Sequence, residues 1–128
     1  MTPEIALVLW CVAYLQAKHF VCDFALQSTF QVRTKGIYGH PGGLLHAGIH
    51  IRGTAPVFLL IRPSLLVGLA ILVAEYLVHY HIDWTKEQLV RRAGLTTSDG
   101  GYWILLGIDQ LLHGWTYVAI VAVLVTTS

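Results

Sequence analysis

The feature that most constrains this chain is an apolar run, Leu65 to Leu77, that leads into two ionisable residues, His79 and Asp83. The run has the composition of a membrane helix, and a helix places residues four apart on one face. Ionisable residues within membrane helices face the bundle interior or a water-filled cavity, and they mark functional sites by default. The sequence therefore predicts a membrane helix bundle with a polar centre.

Three further pairs of ionisable residues share this spacing of four. They are His19 with Asp23, His46 with His50, and Asp109 with His113. Imidazole and carboxylate groups are the side chains that bind metal ions and transfer protons. Because each of four hydrophobic segments carries one such pair, we expect the chain to be organised around the place where the four pairs meet.

The composition agrees with a membrane protein. Hydrophobic residues make up 55% of the 128 residues, charged residues make up 12%, and the mean hydropathy is +0.64. These values fit a polytopic membrane protein. The formal net charge is only +1, so nothing indicates a nucleic-acid partner. Cys11 and Cys22 lie roughly 16 Å apart along one predicted helix, so both are expected to be free thiols. Glu4 stands where a signal peptide carries lysines, so we expect residue 1 to begin the mature chain.

We predict an all-α fold, a polytopic bundle of about four transmembrane helices that forms a single transmembrane domain over residues 1–128. The four segments run from about Pro3 to Gln27, Gly43 to Ile61, Ser64 to Arg92 and Tyr102 to Thr126. The first helix is expected to continue through Ser28 toward Lys35. The second segment is short, and Gly53 and Pro56 favour a kink, so a tilted or re-entrant helix is one alternative.

Basic residues predict the orientation in the membrane. One side receives Arg33, Lys35, Lys86, Arg91 and Arg92, and the other receives Arg62. The basic side of a cell (inner) membrane protein faces the cytoplasm, so both termini are predicted to be non-cytoplasmic. In this orientation each of the four pairs lies roughly 10–12 Å from the cytoplasmic end of its helix, at 1.5 Å per residue. A common depth favours one polar centre over four unrelated pairs.

Four stretches of the chain, "KHFVCDFALQ", "LLHAGIH", "HYHIDWTK" and "DQLLH", resemble the small bacterial membrane family filed as domain of unknown function 3307. The residues that match its pattern are His19, Asp23, Gln27, Lys35, His46, His50, His79, Asp83, Lys86, Asp109, Gln110 and His113. Val21-Cys22 departs from the pattern, which has a small residue there. The resemblance implies a multi-helix membrane protein and implies no settled activity.

The residue types at the centre predict metal binding. The candidate ligands are His19, Asp23, His46, His50, His79, Asp83, Asp109 and His113. Such ligands suit a divalent transition metal, zinc or iron, and helix bundles build sites for one or two ions from inward-facing side chains. Asp83 and Lys86 are the candidate catalytic residues, with Lys86 and Gln27 also able to orient ligands. A metal-activated water would make the protein a hydrolase of a lipid or another amphiphile.

Two other functions fit the same residues. Chains of histidine and aspartate also conduct protons, so a proton or metal-ion pathway is the first alternative. The second is an accessory subunit of a larger membrane complex, or a homo-oligomer, in which the polar layer only joins helices. We also predict a buried ion pair between Arg52 and Glu75, while Lys18 extends toward the membrane surface. His40 and His81 are expected to lie outside the centre.

Overall fold

The computed structural model describes residues 1–127, and every regular element in that range is helical. The helices are α1 (Pro3–Phe20), α2 (Thr29–Thr34), α3 (Pro41–Thr54), α4 (Val57–Leu60), α5 (Leu65–Arg92) and α6 (Gly100–Thr127). A π-helical turn, Val21–Ala25, continues α1. The predicted all-α fold is confirmed.

Three helical stretches are long and apolar enough to cross a membrane: Pro3–Ala25, Leu65–Arg92 and Gly100–Thr127. The second predicted segment is different, because α3 ends at Thr54 and a separate four-residue helix, α4, follows Pro56. Proline lacks the backbone N–H that would continue the helix, which explains the break. The predicted kink is present, and the predicted number of four transmembrane helices is approximate.

The first helix does not continue to Lys35, and this prediction was wrong. The chain bends after the π-helical turn, and α2 begins anew at a capping box. The Ser28 side chain accepts a hydrogen bond from the Gln31 backbone N–H, and the Gln31 side chain accepts one from the Ser28 backbone N–H. These bonds satisfy backbone donors that the first turn of a helix otherwise leaves free.

The four long elements pack in a ring-like order, with α1 against α3 and α6, and α5 against the same two helices. Their outer surface is apolar: Trp10 is 72% exposed and Leu66 is 78% exposed. The interior holds fully buried ionisable groups such as Glu75 and His79. A soluble protein has the opposite distribution, so the outer surface is suited to contact with lipid. Cys11 and Cys22 are both free and buried, as predicted.

A close approach between α2 and α3 places one cation in the interior. A Cβ atom at Gly43 would lie 3.3 Å from the Lys35 Cα and 3.1 Å from the Tyr80 ring. Only glycine permits this contact without displacement of a neighbour. The Lys35 side chain, expected in water at the membrane surface, is instead buried and directed at α5. The capping box and the glycine contact together turn α2 back over the bundle.

The loop between α5 and α6 lies outside the membrane-spanning helices. Its Asp99 side chain accepts hydrogen bonds from the backbone N–H and the hydroxyl of Thr96, both at 2.8 Å. These bonds stabilise the carboxylate and hold the pKa of Asp99 below its usual range. They fix the short connection that sets α6 antiparallel to α5.

Candidate metal centre

The structure brings all eight predicted ligand side chains into the bundle interior. They come from α1 and its π-helical turn (His19, Asp23), α3 (His46, His50), α5 (His79, Asp83) and α6 (Asp109, His113). The rings of His50 and His79 have centroids 3.8 Å apart, and those of His79 and His113 are 4.2 Å apart. Residues on four different elements therefore form one cluster, as the common depth of the pairs predicts.

Six of the eight residues form two overlapping groups of possible ligands. The first group is Asp23, His46, His50 and His79, and the second is His79, Asp83 and His113. Within each group the donor atoms all lie within 4.8 Å of one another. His19 and Asp109 belong to neither group, although each of them contacts a residue that belongs to one. The role of any of the eight as a metal ligand stays a prediction.

Asp23 lies at the centre of the first group. Its Oδ1 is 3.1 Å from His50 Nε2 and 3.2 Å from His46 Nε2. Neighbouring donors in a tetrahedral shell with bonds of about 2.0–2.1 Å lie about 3.3 Å apart. The observed separations match that spacing. The π-helical turn and α3 therefore hold these three donor atoms at a spacing that a metal ion could use, although the His50–Asp23 contact also has hydrogen-bond geometry.

The π-helical turn determines the position of Asp23. A π turn inserts a residue into a helix, and such turns occur frequently at functional sites. The Gln27 side chain donates to the backbone carbonyl of Asp23 at 2.9 Å and so supports the end of this turn. Gln27 therefore stabilises the backbone beneath a ligand and makes no bond to a ligand side chain.

Several buried side-chain nitrogen and oxygen atoms have no hydrogen-bond partner among residues 1–127. They are both ring nitrogens of His46 and of His79, His113 Nε2, and one carboxylate oxygen each of Glu75, Asp83 and Asp109. A buried polar atom without a partner costs about 1–3 kcal/mol, so native proteins rarely leave one. His46 Nε2 is 3.2 Å from both Asp23 Oδ1 and Asp83 Oδ2, but neither contact has hydrogen-bond geometry. A metal ion at this position would bind the lone pair of an unpartnered ring nitrogen.

The ring of His113 is oriented by its own helix. The Nδ1–H group donates to the backbone carbonyl of Asp109 at 2.9 Å. This bond places the proton on Nδ1 and leaves a lone pair on Nε2, which is one of the unpartnered atoms. Metal-binding histidines are commonly held in this way, with one nitrogen bonded to a carbonyl and the other free for the ion.

Gln110 connects the aspartates on two sides of the cluster. Its amide nitrogen donates to Asp23 Oδ2 at 3.1 Å and to Asp109 Oδ2 at 3.0 Å. Its amide oxygen lies 3.1 Å from His19 Nε2. All polar atoms of the amide are therefore engaged. The motif resemblance included Gln110, but the spacing of the ionisable pairs gave no reason to place it in the centre.

Two lysines at the centre make different contacts. Lys35 Nζ donates to Asp83 Oδ2 at 3.3 Å, and both side chains are buried. Lys86 Nζ instead pairs with Glu87 at 2.8 Å. Lys86 therefore contacts no candidate ligand in this structure, and its catalytic role stays a prediction. It does line, with Asp109, an apolar groove between α5 and α6 of about 360 Å³.

A second polar cluster lies one helical turn below the first. Lys18 Nζ is 3.0 Å from Glu75 Oε1, 3.1 Å from the Tyr117 hydroxyl and 3.2 Å from the His50 carbonyl oxygen. The Thr54 hydroxyl also donates to Glu75 Oε1, at 2.8 Å. Lys18 is therefore buried. The prediction that it extends to the membrane surface was wrong.

The predicted Arg52–Glu75 ion pair was wrong, since Arg52 is exposed and Lys18 takes its place. Lys18 and Arg52 lie at similar depths on neighbouring helices, so depth alone could not choose between them. Two other residues of this second cluster could have been predicted from the sequence. Thr54 and Tyr117 each lie four residues after a predicted ligand, His50 and His113, and so extend the same helix faces.

The two histidines that were predicted to lie outside the centre do so. His40 precedes α3, and its Nδ1 accepts a hydrogen bond from the Gly42 backbone N–H at 3.1 Å. His81 is exposed on α5, and its Nδ1 lies 2.7 Å from the Leu77 carbonyl oxygen. His81 Nε2 also lies 3.2 Å from the Tyr38 hydroxyl, on the outside of the bundle.

A family model described as Protein of unknown function (DUF3307) matches residues 11–128. The chain belongs to this family. The resemblance of its four motifs to that family is thereby confirmed. No curated protein and no solved structure matches the chain. Family membership therefore agrees with the sequence pattern, and the chemistry must be argued from the residues of the centre.

Proposed function

We propose that this membrane protein binds a divalent transition metal ion within the bundle, through Asp23, His46, His50 and His79. The observation that carries the proposal is the set of buried ring nitrogens of His46 and His79 that have no hydrogen-bond partner. His46 Nε2 lies 3.2 Å from Asp23 Oδ1, which is the spacing of a coordination shell, and His79 Nε2 lies 3.7 Å from Asp83 Oδ2. Ligands of this type, three imidazoles and one carboxylate, suit zinc or iron(II).

The reaction class that this centre supports best is hydrolysis of a lipid or another amphiphile. Four protein ligands fill a tetrahedral shell, so a catalytic ion here would need a further open position, as five-coordinate zinc or iron(II) provides. Such an ion would polarise substrate oxygens and lower the pKa of a bound water. Asp83 Oδ1 is buried beside the ion site and has no partner among residues 1–127, so it is placed to hold a proton. Lys35 holds the other oxygen of the same carboxylate in place.

The groove between α5 and α6 supports an amphiphilic substrate. Val78, Ile108 and Leu112 give it an apolar wall, and the buried Asp109 and the Lys86 side chain lie at its inner side, toward the centre. A molecule with a hydrocarbon chain and a polar head can lie in such a groove directly from the bilayer. The substrate class follows from this arrangement and from no similarity to a known enzyme.

We place the centre in the cytoplasmic half of the inner membrane, with both termini on the non-cytoplasmic side. The supporting residues are the exposed Arg33, Arg91 and Arg92 at one end of the bundle against Arg62 at the other. An excess of exposed arginine and lysine marks the cytoplasmic side of a membrane protein. Lys35 is removed from this count because it is buried with Asp83.

Elemental analysis of the detergent-purified protein tests the proposal. The protein, prepared without chelators and then supplied with Zn²⁺, is expected to retain about one ion per chain through desalting. His79→Gln is expected to lose it, because His79 belongs to both ligand groups. His81→Gln is the matched control on the same helix, since His81 is exposed, and it is expected to bind as the wild type does. A wild-type protein that retains no ion overturns the proposal.

One observation favours a proton pathway as the second candidate. A continuous set of hydrogen-bonding contacts runs from Glu75 through Lys18 and Tyr117 to His19. Such chains carry protons in membrane proteins. Proton flux through liposomes that contain the protein would support this candidate, and it would support it most strongly if no metal is retained. An accessory role in a larger complex stays a prediction.

A further inference from the structure

The Tyr117 hydroxyl lies among three nitrogen atoms and is almost completely buried. It is 3.1 Å from Lys18 Nζ, 2.9 Å from His19 Nδ1 and 3.4 Å from His50 Nδ1. Both histidine rings therefore direct Nδ1 at the same oxygen. They also direct Nε2 at the same carboxylate, because each Nε2 lies 3.1 Å from an oxygen of Asp23.

The number of protons available at the hydroxyl restricts how the two rings can bond to it. A tyrosine hydroxyl has one proton to donate and two lone pairs that accept. Lys18 can only donate, so it uses one lone pair. One ring can then donate its Nδ1–H to the remaining lone pair, and the other ring must accept the hydroxyl proton on Nδ1. The two histidines therefore hold their protons on different nitrogens.

Gln110 decides which ring holds which proton. Its amide nitrogen faces two carboxylate oxygens, of Asp23 and Asp109, which can only accept when ionised. The opposite amide orientation would place oxygen against both carboxylates. The amide oxygen therefore faces His19, at 3.1 Å, and needs a proton on His19 Nε2. His19 then accepts the Tyr117 proton on Nδ1.

We infer that Tyr117 and Gln110 fix His19 and His50 in opposite tautomers, so that His50 binds the metal ion and His19 does not. His50 donates Nδ1–H to Tyr117, which leaves the Nε2 lone pair facing Asp23 Oδ1 at 3.1 Å. An ion bound between these two atoms would replace the hydrogen-bond contact that joins them. His19 donates Nε2–H to the Gln110 amide oxygen, and the same nitrogen lies 3.1 Å from Asp23 Oδ2, so His19 positions a ligand. This inference rests on the proposed metal centre and removes His19 from the ligands that the sequence predicts. It agrees with the absence of His19 from both groups of donor atoms that lie close together among residues 1–127.

Metal titration of four variants tests the assignment. His19→Gln keeps a hydrogen-bonding side chain, and it is expected to retain one Co²⁺ per chain with an affinity lowered about 10–100-fold. His50→Gln removes a ligand and is expected to change the visible Co²⁺ spectrum as well as the affinity. Tyr117→Phe is expected to lower affinity about 10–100-fold without loss of stoichiometry. Tyr76→Phe is the control, because among residues 1–127 the Tyr76 hydroxyl bonds only the Leu44 carbonyl oxygen, away from the centre.

The outcomes separate this inference from the proposed function. Equal loss of the ion in His19→Gln and His50→Gln, with the same spectral change, would overturn the inference while the metal centre stands. A wild-type protein without bound Co²⁺ overturns the metal centre itself.

A measurement on the wild-type chain covers the case in which variants fail to fold. Nitrogen-15 spectra of histidine in the zinc-loaded protein are expected to show His19 protonated on Nε2 and His50 protonated on Nδ1. The same proton position in both rings would contradict the inference.

Discussion

Removal of one partner from the buried Lys18–Glu75 ion pair is expected to destabilise this protein more than removal of any surface charge. The two atoms Nζ and Oε1 are 3.0 Å apart, and the side chains are 4% and 0% exposed. Removal of one partner leaves the other as an uncompensated charge in a medium of low dielectric constant. Such single removals destabilise proteins by about 3–5 kcal/mol.

The perturbations are Lys18→Met and Glu75→Gln, singly and together. Each single variant is expected to lower the free energy of unfolding by about 3–5 kcal/mol. Because the double variant leaves no unpaired charge, its loss is expected to be smaller than the sum of the single losses by about 2 kcal/mol or more, within the range of coupling energies for contacting residues. Unfolding by SDS in mixed micelles, followed by circular dichroism, gives the free energies.

Arg52→Gln is the matched control for this prediction. Arg52 is exposed and has no carboxylate within 4 Å among residues 1–127, so its replacement is expected to change stability by no more than about 0.5 kcal/mol. A loss in Glu75→Gln no larger than that in Arg52→Gln would refute the reasoning. Strictly additive losses in the double variant would also show that Lys18 and Glu75 do not stabilise one another.

Two further predictions concern the helix α2 and the orientation of the bundle. Ser28→Ala removes the capping side chain of α2 and is expected to lower the free energy of unfolding by about 0.5–2 kcal/mol in the same SDS assay, whereas Ser98→Ala, in the loop before α6, should have little effect. Thr97→Cys is expected to react with a membrane-impermeant thiol reagent only from the cytoplasmic side, and Thr2→Cys only from the other side; the reverse pattern would invert the proposed topology.

The histidines and aspartates of the centre could be predicted because their positions follow from helix geometry. Residues four apart share a face, and residues at equal distance from the helix ends share a depth. His79 and Asp83 therefore meet His46 and His113 once the helices pack in antiparallel order. The geometry of a regular helix is therefore enough to predict which histidines and aspartates meet.

The partners of Glu75 and the path of α2 could not be read in the same way. The choice between Lys18 and Arg52 depends on how α1 and α3 rotate about their axes, which depth does not specify. The break before α2 was a different case, because Ser28 and Gln31 carry the spacing of a capping box. Its consequence, a buried Lys35 beside Asp83, depends on the approach of α2 to Gly43 and so on tertiary packing.

The charges of the centre favour a divalent ion over protonated histidines. Asp23, Asp83 and Asp109 bring three carboxylates into the cluster, and Lys35 compensates one of them. Lys18 and Lys86 already pair with Glu75 and Glu87. When all three carboxylates are ionised, two negative charges remain, a number that one divalent ion would balance.

Protonation of two histidines would balance the same charge but would add N–H groups that need acceptors. The ring nitrogens of His46 and His79 have no partner in hydrogen-bond geometry among residues 1–127. An added proton needs an acceptor in hydrogen-bond geometry, whereas a metal ion uses the lone pairs of these nitrogens. Charge balance and hydrogen-bond satisfaction therefore both support the proposal that a divalent metal ion binds at this centre.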